Sequence, residues 1–287
     1  MNGGSEADMA EAPDRKPRLR LTVPAEAANV ALVRHALAGL AEGIGMDRAG
    51  IADLKTVVTE ACMNAVVHAY PGEVGTIDVE AEPTADALEL RVVDYGVGFQ
   101  PRPDVESPGS SLRLGLSLVA ALSRSFSIRG SSDGGTEVTM EMPLSSPMRT
   151  PRVREESDVV PADAGVSITA SDADLLPGVL SRAVSAFAIR RDLTVDQVAD
   201  AILLAETVSE SSDDAFAGDD LSFALVDGDG GIEMTVGPLG EGGGARLREG
   251  LRLPEDSGTI ETLADAVEVE RRADGEYVAF RIAPGDD

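Results

Sequence analysis

Glu60, Asn64 and His68 stand four residues apart in the run Thr59-Glu-Ala-Cys-Met-Asn-Ala-Val-Val-His-Ala-Tyr70. They offer a carboxylate, an amide and an imidazole, groups that can hold a cation or move a proton. Each four-residue step turns an α-helix by only about 40°, so the three share one face. Leu54, Val57, Val58, Ala61 and Ala65 form the opposite, apolar stripe that would seat the helix on a sheet. Taken alone, such a polar face is ordinarily a solvated one.

Three further stretches bear on its meaning. Asp94-Tyr-Gly-Val-Gly-Phe99 follows a strand pattern. An aspartate there can accept a hydrogen bond from an exocyclic amine, and glycines two and four residues on let the backbone approach a flat base or ribose. By itself the same pattern can be a simple turn. Leu114-Gly-Leu-Ser-Leu-Val119 opens a helix after a flexible loop, where free N–H groups and the helix dipole favour phosphate. Gly134-Gly-Thr-Glu-Val138 is a glycine turn entering a strand.

The elements that must position these groups are legible in outline. Arg18–Val23 alternates polar and apolar residues as a strand does, and Val30, Val33, Leu37 and Leu40 recur at helical spacing between Ala25 and Gly43. Asp47 can cap the helix that carries Glu60, and Pro71-Gly72 stops it. Thr76–Glu80 and Leu88–Asp94 form a hairpin. After a Pro, Gly and Ser-rich loop over 96–111 come a helix near Leu114–Ser123 and strands at Phe126–Ile128 and Thr136–Met142. This order predicts an α/β (α+β) two-layer sandwich with helices on one face of the sheet.

Residues 1–17 are expected to be a disordered leader, 18–144 one domain, 145–164 a Pro, Ser and charge-rich linker, and 165–287 a second domain. The second part begins again with a strand near Val166–Thr169, a helix near Asp174–Phe187 and another from Val195 to Phe216. A shift of 146 residues lays Glu206, Glu210 and Asp214 on Glu60, Asn64 and His68. A shift of 144 lays Pro238, Gly240 and Gly242 on Asp94, Gly96 and Gly98. The expectation is a tandem repeat whose second copy is degenerate.

Composition narrows the functional class. The net charge of −27 argues against general nucleic-acid or anionic-membrane binding, which need basic surface. Residues 1–150 hold 13 Lys/Arg against 21 Asp/Glu, and residues 151–287 hold 11 against 30, so most of the excess acid lies in the second part. Aromatic residues make up 3% and Trp is absent, which predicts an aliphatic core. Cys62, the single cysteine, is expected to be a small buried hydrophobe. Without a signal peptide or a membrane-length apolar run, a cytoplasmic protein is expected.

Glu60-x3-Asn64, Asp94-x-Gly-x-Gly98, Gly115 and Gly135-Thr136, in this order and spacing, resemble the Bergerat-type ATP-binding fold of the GHKL (HATPase) superfamily, which has a mixed sheet. More closely, Val23-Pro-Ala-Glu, the run from Leu54 to Tyr70 and the Asp94–Phe99 sequence look like the anti-sigma-factor serine/threonine kinases of RsbW-like type. The resemblance covers about residues 18–144 and is faint beyond them.

The resemblance implies ATP and Mg²⁺ as cofactors. By it, Asn64 binds Mg²⁺ and thereby the phosphates, Glu60 is the base or polarising carboxylate that orients the attacking hydroxyl, and Asp94 selects adenine. Gly96 and Gly98 make room for the nucleotide, Gly115 and Leu116 lie at the phosphates, and Thr136 lies on the adenine side. Arg113 stands where the family has the first glycine of its second glycine box, where it can pair with phosphate or hinder closure. His68 is expected to have a structural or partner-facing role and His35 a helix-surface or packing one. In the second copy Pro238 and Glu210 replace the adenine-binding aspartate and the metal-binding asparagine, so no nucleotide is expected there.

The implied function is a protein kinase that acts by partner switching. It would bind a sigma factor and phosphorylate a small anti-anti-sigma protein of STAS type. The alternative is an ATP-binding but non-catalytic anti-sigma or scaffold module. The degenerate copy is expected to serve as a built-in partner, leaving the chain a monomer with an internal pseudo-dimer.

Overall fold

The computed structural model describes residues 18–98, 111–130, 134–145, 165–191, 193–211, 220–228, 231–251 and 260–284. The expected leader, all but one residue of the expected linker, and the loop after Gly98 therefore lie outside the described residues.

In β1 (Leu19–Pro24) Leu19, Leu21 and Val23 are buried at every second position, as the alternation predicts. Two helices follow, α1 (Ala27–Gly43) and α2 (Arg48–His68). The Asp47 side chain caps α2 by accepting the Gly50 N–H at 2.8 Å. Because α1 and α2 return the chain as a helical hairpin, β2 (Thr76–Pro83) runs antiparallel to β1, with Leu21 opposite Val79. Next come β3 (Ala87–Asp94), α3 (Ser111–Leu122), β4 (Ser125–Gly130) and β5 (Thr136–Pro143). The helix carrying Gly115 thus begins three residues earlier than its sequence pattern suggests.

The second part repeats this order. It comprises β6 (Val166–Ala170), a 3-10 turn at Ala173–Leu175, α4 (Pro177–Ala188), α5 (Val195–Ser211), β7 (Leu221–Gly228) and β8 (Gly231–Leu239). Two short helices, α6 (Gly243–Gly250) and α7 (Ile260–Leu263), then lead to β9 (Ala266–Arg272) and β10 (Gly275–Ile282).

All ten strands join one sheet in the order β4-β5-β3-β2-β1-β6-β7-β8-β10-β9. Read outward from the centre, each half has the same strand order. The hairpin registers agree as well: Val79 faces Val92, Phe223 faces Val236, and both members of the second pair lie 144 residues beyond the first. The mixed sheet implied by the resemblance is corrected: every pairing among the described strands is antiparallel. The reason is the placement of β5 and β10. β3 and β4 point the same way, but β5 lies between them, and β10 does the same between β8 and β9.

The halves meet along the seam β1–β6, where Leu21 faces Ile168. Above it α1 lies against both α2 and α4. Val30, Leu32, Val33 and every residue from Ala36 to Ala41 are buried, the pattern of a helix covered on several sides rather than on one stripe. Gly39 and Gly178 let α1 and α4 approach: a Cβ on Gly39 would stand 2.0 Å from the Gly178 carbonyl oxygen. The buried apolar side chains form one cluster running through both halves. Among the described residues no helix is long and apolar enough to cross a membrane.

Candidate nucleotide and phosphoryl-transfer site

α2 carries Glu60 and Asn64 one turn apart, with Leu54, Val57, Val58, Ala61 and Ala65 buried beneath it. The structure brings α3 against the polar side at Glu60. A Cβ on Gly115 would lie 2.4 Å from Glu60 Oε2, so the glycine leaves the carboxylate room beside the helix. Glu60 also borders an open cleft with Arg34, His35, Lys55, Thr56 and Thr59. Burial and the neighbouring Arg34, Lys55 and Arg182 push the His35 imidazole down from its ordinary value. His68 is exposed in the last turn of α2, consistent with a surface role.

The Asn64 amide nitrogen is buried without a hydrogen-bond partner. A buried amide end left unpaired costs free energy, which suits a group that acquires its partner with a ligand. An amide oxygen is also an acceptable ligand for Mg²⁺, which is commonly held by few protein groups together with substrate phosphates. Among the described residues no group of three His, Cys, Asp or Glu side chains could hold a metal ion by itself. The residues present therefore fit a cation shared with polyphosphate.

Near the C-terminal end of α2 lies Asp94. Asp94 ends β3 opposite Thr136 of β5 and is 6% exposed. Its Oδ1 accepts the N–H groups of Gly96 and Thr136, each at 3.1 Å. Burial pushes the carboxyl above its ordinary value, against the lowering effect of those hydrogen bonds. Gly96 runs so close to α2 that a Cβ would stand 2.0 Å from the Ala69 carbonyl oxygen. Gly98 has φ +77° and lies over Gly135, which has φ +90°. Asp94, Gly96, Gly98 and Thr136, chosen from sequence, thus converge with Gly134 and Gly135.

Gly115 is buried and Leu116 half-buried, side by side on α3. Arg113 lies in the first turn of α3, not in a loop before it, and its side chain is outside the described residues. The burial of Cys62 raises its thiol pKa to about 12, which makes it the inert core residue expected.

Tyr70 received no role from the sequence. Its hydroxyl accepts the Tyr95 N–H at 2.8 Å and donates to the Thr76 carbonyl. The signal that could have marked it is its position two residues beyond His68, where the helix must end and hand the chain to β2.

In the second half the segment after Pro238 is bonded to Glu276 of β10. Gly242 has φ +69°, close to that of Gly98, 144 residues earlier. Pro238 stands where β3 has Asp94. Glu276 faces Leu239 on β10, and its Oε2 accepts the Gly244 N–H at 3.1 Å, with the Gly242 N–H also directed to the carboxylate. Arg271 Nε donates to Oε1 at 3.2 Å.

Residues 23–142 match the histidine kinase-like ATPase domain family. Among characterised proteins the chain is similar to the serine-protein kinase RsbW of Bacillus cereus (strain ATCC 10987 / NRS 248), with 38% identity over 86 residues, 30% of this chain and 54% of that one. It is equally similar to RsbW of Bacillus thuringiensis subsp. konkukian (strain 97-27), with 38% identity over the same shares. The chain thus spans about half the length of the relatives it matches. A crystal structure of the RsbU and RsbW domains of a Mycobacterium tuberculosis protein aligns over 95% of this chain and 88% of that one, at 11% identity and a TM-score of 0.27, too low to bear on the fold. Residues 23–142, the stretch that holds Glu60, Asn64 and Asp94, are thus similar to the histidine kinase-like ATPase domain family.

Proposed function

We propose that the chain is an ATP-dependent serine/threonine protein kinase that regulates a sigma factor by partner switching. The observation that carries this reading is the meeting of Glu60 with Gly115 beside α2, whose C-terminal end accepts the Val97 N–H of the loop after Asp94 through the Ala69 carbonyl. Glu60 and the loop that follows Asp94 are thereby tied to one helical segment.

In this reading Asp94 accepts the exocyclic amine of adenine through Oδ2, because Oδ1 is already taken by Gly96 and Thr136. Asn64 would hold the cation through its amide oxygen. That cation neutralises charge on the transferring group when bound. Glu60 orients the hydroxyl of a serine or threonine that approaches through the cleft beside Thr56 and Thr59. Phosphoryl transfer asks mainly for positioning and electrostatic complementarity, so these few groups suffice. The protein substrate is a small anti-anti-sigma protein and the held partner a sigma factor, as the RsbW-like sequence suggests.

The second half, lacking the Asp94 and Asn64 chemistry, serves as a permanent partner for the first across β1–β6 and α1–α4. The domain boundaries proposed are 18–144 and 165–287, and a cytoplasmic location fits this role. Incubation with labelled ATP, Mg²⁺ and the candidate antagonist tests the kinase reading. Label on the antagonist that disappears with Glu60→Ala supports it. ATP binding with no transfer by the wild type contradicts it and favours a non-catalytic anti-sigma module.

A further inference from the structure

The structure assigns Tyr70 as the positioning residue that fixes the base-reading loop to the helix carrying Glu60 and Asn64. This inference rests on the nucleotide reading of the Asp94 site, but its structural half can be tested without nucleotide.

Three consecutive backbone N–H groups follow Asp94, and each has a different internal acceptor. The Tyr95 N–H donates to Tyr70 Oη at 2.8 Å, the Gly96 N–H to Asp94 Oδ1 at 3.1 Å, and the Val97 N–H to the Ala69 carbonyl at 2.9 Å. Two of the three acceptors belong to the residues that end α2. Ala69 holds one side of the loop through its backbone and Tyr70 the other through its hydroxyl.

Tyr70 is itself held. Its hydroxyl donates to the Thr76 carbonyl at the start of β2, and its ring lies on Gly75, where a Cβ would fall 1.9 Å from Cε1. Burial, together with the nearby Asp94 and Asp78 carboxylates, raises the phenol above its ordinary value. The hydroxyl therefore stays protonated at neutral pH and can serve as donor and acceptor at once.

The consequence is geometric. Asp94 Oδ2 must meet a planar base edge within hydrogen-bond tolerance, whereas the phosphate end is set by Asn64 about two turns before Tyr70 on the same chain segment. A hydroxyl that ties residue 95 to the end of this helix makes the distance between the two ends a property of one rigid body. Removing it leaves a backbone donor unpaired and loosens the adenine end alone. Tyr70 touches neither base nor phosphate in this account. It acts through Tyr95 and thereby Asp94. The residue 146 positions later is Phe216, an aromatic ring without the hydroxyl, in the half assigned no nucleotide.

The test uses the full chain with Tyr70→Phe, which keeps the ring on Gly75 and removes only the oxygen. Hydrogen exchange without nucleotide should quicken about ten-fold at the amides of residues 95–97 and stay unchanged at Leu54–Ala61. ATP affinity should weaken about ten-fold, the preference for ATP over GTP should fall, and transfer at saturating ATP should be unchanged. Unchanged exchange at 95–97, or faster exchange with unchanged affinity and base preference, overturns the assignment. If the wild type binds no ATP while Tyr70→Phe still loosens 95–97, the clamp stands, but the nucleotide reading and the positioning role that rests on it fall.

Discussion

A side chain on residue 115 would share space with the carboxylate of Glu60, since a Cβ there would stand 2.4 Å from Oε2. The obstructing atom is the end of a flexible side chain and not backbone, so Gly115→Ala displaces Glu60 without unseating α3. Alanine in a helix is favoured over glycine by roughly 0.5–1 kcal/mol. The variant should therefore keep or slightly gain stability while losing at least ten-fold in phosphoryl transfer, with ATP affinity changed less. Thermal melts and steady-state rates on one preparation check this, and equal loss of stability and activity would contradict it.

Asp94 gives a pH dependence whose sign can be worked out. Its folded-state pKa is raised, with burial the first cause, so the native state binds this proton more tightly than the unfolded chain does. The ionised group costs stability above its folded pKa, and that cost is relieved as pH falls through it. Amine recognition needs the ionised form, so ATP affinity should decline on acidification at a pH above the ordinary value of an aspartate. Asp94→Asn should melt at the same temperature as the wild type or higher at neutral pH, yet bind ATP poorly. Isothermal titrations across pH test both parts.

Glu276 carries the opposite sign. The Gly244 N–H is the first cause of its depressed pKa, with Gly242 and Arg271 adding to it, so its contribution is present above the unfolded value and lost as pH falls through the folded one. Glu276→Thr, which removes the carboxylate, should speed hydrogen exchange over 242–247. It should create no second ATP site, because Pro238 supplies no acceptor for an amine. A second equivalent of bound ATP in this variant would contradict the account.

The seam makes a prediction about assembly. The inner edge strand of each half and the faces of α1 and α4 cover one another, so the chain should run as a 29.7 kDa monomer in light scattering. Gly39→Ala sets a Cβ against the Gly178 carbonyl, a backbone atom that cannot swing aside, and should cost about 1–3 kcal/mol in urea unfolding. A stable wild-type dimer, or a neutral Gly39→Ala, would contradict the seam's role.

Much of the first half was legible because its signals are local. The alternation of Leu19, Leu21 and Val23, the Asp47 cap and the stripe from Leu54 to Ala65 all depend on residues within one element. Glu60, Asn64 and Asp94 could be picked out by their local spacing, although Gly115 and Thr136, which complete the settings of Glu60 and Asp94, lie far along the chain. The pairing of β1 with β6 was not legible, since nothing in Leu19–Pro24 or Val166–Ala170 specifies which edge each strand meets. Tyr70 escaped for a related reason: its two hydrogen-bond partners lie 6 and 25 residues away, and only the fold brings them together. Glu276 likewise lies 32 residues from Gly244.

Equilibrium titration of the full chain with ATP and Mg²⁺ tests the central claim most directly, with Asp94→Asn measured alongside. One nucleotide should bind per wild-type chain, and affinity should fall at least ten-fold in Asp94→Asn. No binding by the wild type, or binding that survives Asp94→Asn unchanged, would contradict that claim.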